Sequence, residues 1–457
     1  MATAAMAHLR DQVRGEILTP EDAAYDDARR VYNAMIDRRP RVIVRCAGVD
    51  DVVAAVNFAR EAGLAIAVRG GSHSVPGFGT ADDAVVIDLV RMQAVEVDPT
   101  RKTARAQGGA TWGAFNDATH EHGLATTGGI ISTTGVGGLT LGGGIGYLSR
   151  GHGLSCDNLR ATEVVTADGR ILAATENENE DLFWALRGGG GNFGAVTAFE
   201  YDLHPVREVY GGPILFELSD AADVLRFYRE FIRDAPDEFG GFPAWQIAPP
   251  LPFIPEDRQG EPFLIFVTCW AGPIEEGEAA LKPIRDVAPV VAEHVGPMPY
   301  PAINSAFDAL VPAGLQHYWK ANFVRELTDD AIAAHLEHGP KVPAVNSTVH
   351  IYPINGACHR VAPDATAFAY RDATFATVIA GMWPDPAEND ANTAWVRGFY
   401  DATAPHSEAG GYVNFMAGDD QERIKDNYMG NYDRLVDVKR AYDPGNLFRH
   451  NQNILPY

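Results

Sequence analysis

A short apolar run, Ala65–Val68, leads directly into the segment Arg-Gly-Gly-Ser-His-Ser at residues 69–74. Glycine allows a tight turn whose backbone N–H groups point at an anion, because no Cβ restricts φ or blocks a close approach. The pattern therefore predicts a strand that ends in a phosphate-binding turn. His73 would lie where a bound cofactor can touch it.

A second glycine-rich run extends from Gly128 to Gly146. Two such runs on one chain indicate a large ligand that carries a diphosphate and is held mainly by backbone groups. A third run, Gly189–Gly194, matches Gly-x-Gly-x-x-Gly, but a helical pattern precedes it and the alternating strand Ala195–Phe199 follows it. A nicotinamide dinucleotide fingerprint needs the opposite order, so that alternative is disfavoured. No glycine is followed by Lys-Ser or Lys-Thr, so no Walker A loop is expected.

The charge of the chain limits its partners. A net charge of −24 and a pI near 4.9 argue against nucleic acid and against an anionic membrane surface. No apolar run reaches the roughly 18 residues of a membrane helix, and the first ten residues lack the apolar core of a secretory signal. No histidine pair has the His-Glu-x-x-His spacing, so no metal is predicted. Four scattered cysteines without a Cys-x-x-Cys pair indicate a cytoplasmic protein with free thiols: Cys46, Cys156, Cys269 and Cys358.

The predicted pattern of strands and helices along the chain changes near Pro205. Before it, short strands alternate with short helices and glycine turns, which is typical of an α+β fold. After it, a layered second domain with helices on a sheet is the simplest interpretation. Its periodicity predicts helices at 221–234, 275–287, 329–338 and 389–402, and strands at 213–218, 262–270, 347–352 and 365–370.

Five motifs together resemble the berberine-bridge-enzyme-like FAD-linked oxidases, with bacterial members the most similar. These motifs are residues 69–74, the run to Gly146, and residues 153–159, 186–194 and 442–454, in the family's order and spacing. The family belongs to the vanillyl-alcohol-oxidase superfamily with its PCMH-type FAD-binding domain. The resemblance implies an α+β fold in three parts: an FAD-binding domain of two small α/β subdomains at 1–206, a substrate domain with an antiparallel sheet covered by helices at 207–408, and a C-terminal segment at 409–457 that returns to the FAD domain.

The resemblance also implies FAD as the cofactor, attached through His73 to the 8α-methyl group of the flavin. A neutral imidazole is a competent nucleophile for that carbon. Some relatives attach the flavin a second time through a cysteine, but Ile131 stands at the matching position, so no second cysteinyl link is expected. The residues that the resemblance assigns to FAD are Arg69, Gly70, Gly71, Ser72, His73, Ser74, Ser132, Thr133, Gly135, Gly138, Gly143, Gly194, Val196, Asn451 and Asn453.

The implied reaction oxidises a C–H bond next to oxygen or nitrogen in a small molecule such as an alcohol, a sugar or an amine. Hydride would pass to flavin N5, and O2 would reoxidise the flavin and give hydrogen peroxide. Tyr412 and Asn414 match a Tyr-x-Asn-Tyr element that reaches the active site in relatives, and Tyr352 and Tyr147 are further catalytic candidates. A tyrosine acts as a base only when a cation or strong donor lowers its pKa. Lys320 is a candidate cation, although a surface position is the simpler interpretation.

Several alternatives stay open at this point. Thr134 lies at the position that gates the flavin face in relatives, and its small side chain would leave room for O2. A dehydrogenase that passes electrons to another acceptor, or a flavin-binding protein without turnover, would keep the same fold. The aromatic residues of the second domain fit flat rings and sugars equally, so the substrate is not determined. The base and the oligomeric state are open as well.

Overall fold

Three β-sheets follow one another along the chain, and each uses a different stretch of the sequence. The structure is a computed structural model that describes residues 2–457. The first sheet lies within residues 16–88, the second within 95–202 and the third within 208–383. This mixed α/β arrangement confirms the fold class predicted from the sequence.

Helices connect and cover these sheets. In chain order they are α1 (Ala2–Gln12), α2 (Tyr25–Ala28), α3 (Val49–Ala62), α4 (Trp112–His120), α5 (Val136–Leu141), α6 (Ser149–His152), α7 (Glu180–Leu186), α8 (Ala221–Asp234), α9 (Gly277–Arg285), α10 (Tyr300–Ser305), α11 (Asp329–His338), α12 (Ala357–Arg360), α13 (Asn389–Thr403), α14 (Ile424–Tyr428) and α15 (Tyr432–Tyr442).

The first sheet is formed mainly by parallel strands in the order β1-β2-β4-β3. Strand β4 pairs in parallel with β2 and with β3, and β1 adds antiparallel to β2. Parallel strands end at the same edge of a sheet, so Arg69 at the end of one strand lies opposite Asp88 at the end of the next. The strand bounds are β1 (Glu16–Leu18), β2 (Val42–Arg45), β3 (Ile66–Arg69) and β4 (Val85–Asp88).

The second sheet is antiparallel and carries the remaining cofactor motifs. Its order is β5-β6-β9-β7-β8, and a turn at Asp168-Gly169 joins β7 to β8, as the sequence predicts. Gly169 has a φ of +82°, which few other residues adopt. The strand bounds are β5 (Val95–Asp98), β6 (Thr103–Gln107), β7 (Leu159–Val165), β8 (Ile171–Thr175) and β9 (Ala195–Asp202).

The third sheet is a larger antiparallel sheet with the order β13-β10-β12-β11-β16-β17-β15, and β14 pairs with β10. Helices α8, α9, α11 and α13 bury their apolar residues against one face of it. The other face packs toward the segment that connects β6 and β7 of the second sheet. The strand bounds are β10 (Glu208–Phe216), β11 (Phe242–Ile247), β12 (Pro262–Trp270), β13 (Val290–Glu293), β14 (Gly296–Pro299), β15 (Gln316–Val324), β16 (Thr348–Pro353) and β17 (Phe375–Trp383).

The prediction of a strand at 365–370 is wrong, because these residues form no strand in the structure. The segment is buried, but its backbone bonds to loops of the second sheet, with the Ala367 N–H 3.3 Å from the Trp184 carbonyl oxygen and the Phe368 N–H 3.2 Å from that of Arg187. Its apolar residues therefore fill an interface between layers. The strand that follows, β17, is buried along its whole length on both faces, so it lacks the alternation that would have predicted it.

The C-terminal segment returns to the second sheet through a buried ion pair. The Lys439 ammonium lies 2.7 Å from the Asp443 carboxylate, and both side chains are fully buried. Lys439 also donates to the carbonyl oxygen of Asn192 at 2.7 Å, and Asp443 accepts the N–H groups of Leu447 and Phe448. This network fixes the chain that follows α15 against the Gly189–Gly194 loop.

We expect Asp443→Asn to destabilise the protein, because it leaves the Lys439 cation buried without a counter-ion. Breaking such a pair from one side costs about 3 kcal/mol. The measurement is the urea midpoint of the holoprotein, followed by tryptophan fluorescence. Asp437→Asn is the control, since Asp437 pairs with Arg440 on the surface and exposed pairs contribute little. Equal midpoints for the two variants would contradict the role given to the buried pair.

Candidate active site

A cavity of about 340 Å³ is lined by residues from all three sheets and from the C-terminal segment. Loops of the first two sheets form one wall, and the inner face of the third sheet forms the opposite wall. The sequence-predicted cofactor residues that line it are Arg69, Gly70, Gly71, Ser72, His73, Ser74, Gly135, Gly138, Gly194, Val196 and Asn451.

The first two glycine-rich runs meet backbone to backbone in this wall. A Cβ built on Gly71 would overlap the backbone nitrogen of Gly135, and one built on Gly135 would overlap that of Gly71. A Cβ on Gly70 would lie 2.8 Å from the Gly108 carbonyl oxygen. Only glycine permits this approach, which explains why two distant runs of the sequence share one residue type.

An anion at the turn of residues 69–74 would meet backbone groups and no unpaired cationic side chain. The Arg69 side chain is buried, and its guanidinium lies 2.6 Å from the buried Asp88 carboxylate, which neutralises it. Ser72 has a φ of +65°, and its buried hydroxyl has no hydrogen-bond partner within the described chain. A diphosphate in the cavity would supply that partner and would accept hydrogen bonds from backbone N–H groups of the turn.

His73 belongs to the turn and contacts the second glycine-rich run, and its imidazole ring is neutral. Its Nε2 is 2.9 Å from the Thr133 hydroxyl, and its Nδ1 is 3.4 Å from the Thr134 hydroxyl. The ring stacks on Tyr32 with the centroids 3.8 Å apart. Burial, with a smaller effect from His317, lowers the pKa of His73 to about 3, so a lone pair is available at neutral pH.

Buried polar atoms of the C-terminal segment also face the cavity without partners among residues 2–457. These atoms are the Tyr428 hydroxyl, the Asn451 Oδ1 and the Gln452 Nε2, and all three residues line the cavity. Asn451 Nδ2 is used locally, since it donates to the Gly191 carbonyl oxygen at 3.0 Å. Unpaired buried polar groups are costly, so their clustering fits a large polar ligand such as FAD.

Four predicted cofactor residues do not line the cavity. Ser132 turns away because its N–H and hydroxyl bond to the Asp308 carboxylate of the third-sheet region. Thr133 reaches the site only through His73. Gly143 has a φ of +125°, and a Cβ there would meet the rings of Phe368 and Tyr412, so it serves the packing of these rings. Asn453 lies next to lining residues, and its Oδ1 is buried without a partner in the described part of the chain.

The opposite wall is formed by side chains of neighbouring strands on the inner face of the third sheet. On β16, Thr348, His350 and Tyr352 all line the cavity, while Val349 and Ile351 point into the helix-covered core. On the adjacent strand β17, small or aliphatic residues lie directly opposite: Ala380 pairs with Thr348, Val378 with His350 and Ala376 with Tyr352. The polar side chains of β16 therefore stand beside smaller apolar side chains of β17, of which Val378 and Ala380 also line the cavity.

Tyr412 and Asn414, both predicted, line the cavity and bond to each other. The Tyr412 oxygen accepts the Gly144 N–H at 2.8 Å, the Ile145 N–H at 3.4 Å and the Asn414 Nδ2 at 2.8 Å. Asn414 also donates to the Leu139 carbonyl oxygen at 2.9 Å, which fixes the orientation of its amide. Burial raises the pKa of Tyr412 to about 12 and outweighs these donors, so the phenol is neutral.

Tyr352, also predicted, pairs with a residue that sequence reasoning missed. The Tyr352 hydroxyl lies 2.5 Å from Nδ1 of His350, and both rings contact Phe242. Burial lowers the pKa of His350 to about 3 and raises that of Tyr352. The available signal was the alternation Thr-Val-His-Ile-Tyr, which puts His350 and Tyr352 on one face of a strand.

Two other candidates lie elsewhere. Tyr147, predicted as catalytic, is fully buried behind the cavity wall and stacks on Phe242 with the centroids 6.0 Å apart. Lys320 is neither on the surface nor beside a candidate tyrosine of the cavity. It is buried, and its ammonium lies 2.7 Å from Asp420 and 3.1 Å from Asp419.

The cavity carries almost no net charge. Within the described chain, Arg69 is the only permanently charged residue that lines it, and Asp88 neutralises Arg69. Residues 2–457 contain no group of three or more His, Cys, Asp or Glu side chains placed to hold a metal ion. No helix among them is both long and apolar enough to cross a membrane.

Two family descriptions match the chain. Residues 40–175 match the FAD binding domain, and residues 411–455 match the family described as berberine and berberine like. An uncharacterised FAD-linked oxidoreductase of Bacillus subtilis is 32% identical over 460 residues, which cover 98% of this chain and 98% of that protein.

Solved structures share the fold. The 6-hydroxy-D-nicotine oxidase of Arthrobacter nicotinovorans gives a TM-score of 0.86 at 26% identity, over 97% of this chain and 98% of that one. Glucooligosaccharide oxidase of Acremonium strictum, which carries a 6-S-cysteinyl, 8α-N1-histidyl FAD, gives a TM-score of 0.87 at 24% identity, over 100% and 99% of the two chains. At 24% identity, the similarity to glucooligosaccharide oxidase shows a shared fold and nothing more. Because the Bacillus subtilis oxidoreductase is 32% identical over 98% of both chains, this chain belongs to the FAD-linked oxidoreductases. It is an enzyme with an FAD binding domain and a berberine-like C-terminal segment.

Proposed function

We propose that the chain is an oxidase that removes a hydride from a C–H bond next to oxygen or nitrogen in an uncharged small molecule, with O2 as the electron acceptor and hydrogen peroxide as the product. The observation that carries the proposal is the cavity itself. One wall holds a neutral imidazole among buried polar atoms that have no partner within residues 2–457, and the other holds neutral hydroxyl and imidazole groups beside small apolar residues of β17.

His73 is the attachment residue in this proposal, and FAD, once bound, supplies the hydride acceptor. The low pKa of the ring keeps a nitrogen lone pair free to bond to the 8α-carbon. The Thr133 and Thr134 hydroxyls flank the two ring nitrogens and hold the imidazole in place. Ile131 lines the same cavity at the position where a second link would need a thiol, so one covalent bond holds the cofactor.

Tyr412 orients the substrate as a hydrogen-bond donor. Its oxygen already accepts from Gly144, Ile145 and Asn414, which fixes the ring and leaves its own O–H directed elsewhere. That O–H can bond to the substrate oxygen or nitrogen and hold the neighbouring C–H in a reactive position. Because no acidic side chain among residues 2–457 lines the cavity to balance a cation, an alcohol or an uncharged amine fits better than an ammonium ion.

The attachment is tested by acid precipitation of the holoenzyme. The wild-type pellet should stay yellow and fluorescent, with the peptide that contains His73 heavier by one flavin. His73→Ala should release all flavin into the supernatant, because position 131 offers no thiol for a second bond. His122→Ala, at an exposed histidine, is the control and should keep the pellet yellow. Flavin that stays with His73→Ala, or that washes off the wild type, would contradict the proposal.

Tyr412→Phe should slow flavin reduction about 100-fold while flavin attachment stays complete, because a positioned donor is lost. The measurement is anaerobic bleaching of the flavin by a panel of benzyl alcohol, cyclohexanol and D-glucose. Tyr370→Phe is the matched control, since Tyr370 is buried outside the cavity and bonds to Asp426 and Gly410 backbone groups. Equal rates for wild type and Tyr412→Phe would remove Tyr412 from the reaction.

Thr134→Leu should slow reoxidation by O2 and leave anaerobic reduction unchanged, because a larger side chain fills space beside His73. Stopped-flow measurement of the two half-reactions separates the effects. Thr134→Ser keeps the hydroxyl and the space, and it should behave as wild type. A wild-type enzyme that reacts slowly with O2 but rapidly with an artificial acceptor would instead be a dehydrogenase.

A further inference from the structure

We propose that His350 is the final acceptor of the substrate's hydroxyl or amine proton and receives it through the hydroxyl of Tyr352. The proposal rests on the proposed oxidase function and identifies the base that the reaction needs. Neither residue lies in a glycine-rich run or in the C-terminal segment, and the pair comes entirely from strand β16 of the third sheet.

The geometry of the pair favours a proton relay. The Tyr352 oxygen lies 2.5 Å from Nδ1 of His350, and both side chains line the cavity. Phe242 contacts both rings, with centroid distances of 4.9 Å to His350 and 4.5 Å to Tyr352. Packing against Phe242 therefore holds the two groups in one orientation at the cavity wall, with the hydroxyl against the imidazole nitrogen.

Tyr412 and the other two histidines of the cavity wall are already engaged. A neutral phenol oxygen has two lone pairs, and the Tyr412 oxygen already faces three N–H donors, so it has no place for a further proton. His450 Nε2 lies 2.7 Å from the Thr80 carbonyl oxygen and 2.6 Å from the Arg38 guanidinium. His73 is assigned to the flavin, and no carboxylate among the described residues lines the cavity.

The protonation states of His350 and Tyr352 before the reaction suit the pair to accept a proton. Burial keeps the His350 ring neutral and the Tyr352 phenol protonated, so the phenol O–H donates to the free Nδ1. A weak base suffices, because the hydroxyl proton of an alcohol becomes strongly acidic as hydride leaves the neighbouring carbon. The buried imidazolium that results is unstable and releases its proton readily in the next half-reaction.

The step balances as follows for an alcohol. With FAD bound to supply the hydride acceptor, the substrate C–H and O–H bonds would break and a C=O bond would form. The Tyr352 oxygen takes the substrate proton as its own proton moves to Nδ1 of His350. The hydrogen and two electrons of the C–H bond, together with the proton held by His350, would balance the reduction of O2 to hydrogen peroxide.

The first test is independent of turnover and uses the holoenzyme labelled with ¹⁵N in the histidine rings. At neutral pH we expect the His350 resonances to show a neutral ring with the proton on Nε2 and a hydrogen bond accepted at Nδ1. His350→Asn identifies these resonances by their loss, and Tyr352→Phe should shift them. His335→Asn is the control, since His335 is a buried histidine that lies outside the cavity and packs on Phe399 on the helix-covered face.

The second test uses flavin bleaching by the same three alcohols in the absence of air. An asparagine can keep a hydrogen bond to Tyr352 but cannot accept a proton, so His350→Asn should bleach about 100-fold more slowly with little change in the dissociation constant. Tyr352→Phe should lose a similar factor, and the double variant should be no slower than either single variant, because the two residues act as a unit. His335→Asn should keep the wild-type rate.

Each outcome decides the proposal. A proton on Nδ1, a charged ring at neutral pH, or a wild-type bleaching rate in His350→Asn overturns it. Independent, additive effects of the two substitutions would overturn the relay as well. If none of the alcohols bleaches the wild-type flavin, the proposed oxidase function fails for this substrate class, and the ring-nitrogen spectrum alone then decides whether His350 can accept a proton.

Discussion

The backbone contact between Gly71 and Gly135 is the constraint on which the rest of the site depends. It presses the turn after β3 against the second glycine-rich run, at a distance that no side chain allows. This contact places His73 beside the hydroxyls of Thr133 and Thr134, and the residues of the turn line the cavity. The position of the imidazole is thus set by the backbone, and the first two sheets form one cofactor wall.

The same wall explains how an acidic chain can bind a dinucleotide. A net charge of −24 repels an anion at long range, and Asp88 cancels the one arginine that lines the cavity. Binding must therefore come from short-range donors, namely backbone N–H groups and buried polar side chains without partners of their own. Burial in this cavity lowers the pKa of His73 and of His350, so both imidazoles stay unprotonated, which both an attachment residue and a proton acceptor require.

Sequence reasoning recovered what depends on local pattern. The glycine-rich runs, the Asp168-Gly169 turn and the helices at 221–234 and 329–338 follow from glycine content or from a 3.6-residue period, and the structure has them at those positions. The strand predicted at 365–370 failed because burial between layers leaves the same apolar composition as burial in a sheet. Tyr147 and Lys320 were misplaced because their neighbours, Phe242 and Asp420, are distant in the sequence. His350 was missed for the related reason that a single histidine in a strand has no motif.

The two tyrosines of the cavity illustrate why geometry and not residue type assigns the roles. Both phenols are buried, and burial raises the pKa of each, so neither is a base by itself. They differ in what touches the oxygen. Tyr412 faces three N–H donors and can only donate, whereas Tyr352 faces an imidazole nitrogen that can take a proton from it. A proton that enters at Tyr352 has an onward path, and one that reached Tyr412 would have none. In the proposed reaction the third sheet therefore supplies the acid–base function, and the element around Tyr412 supplies orientation, although both carry the same side chain.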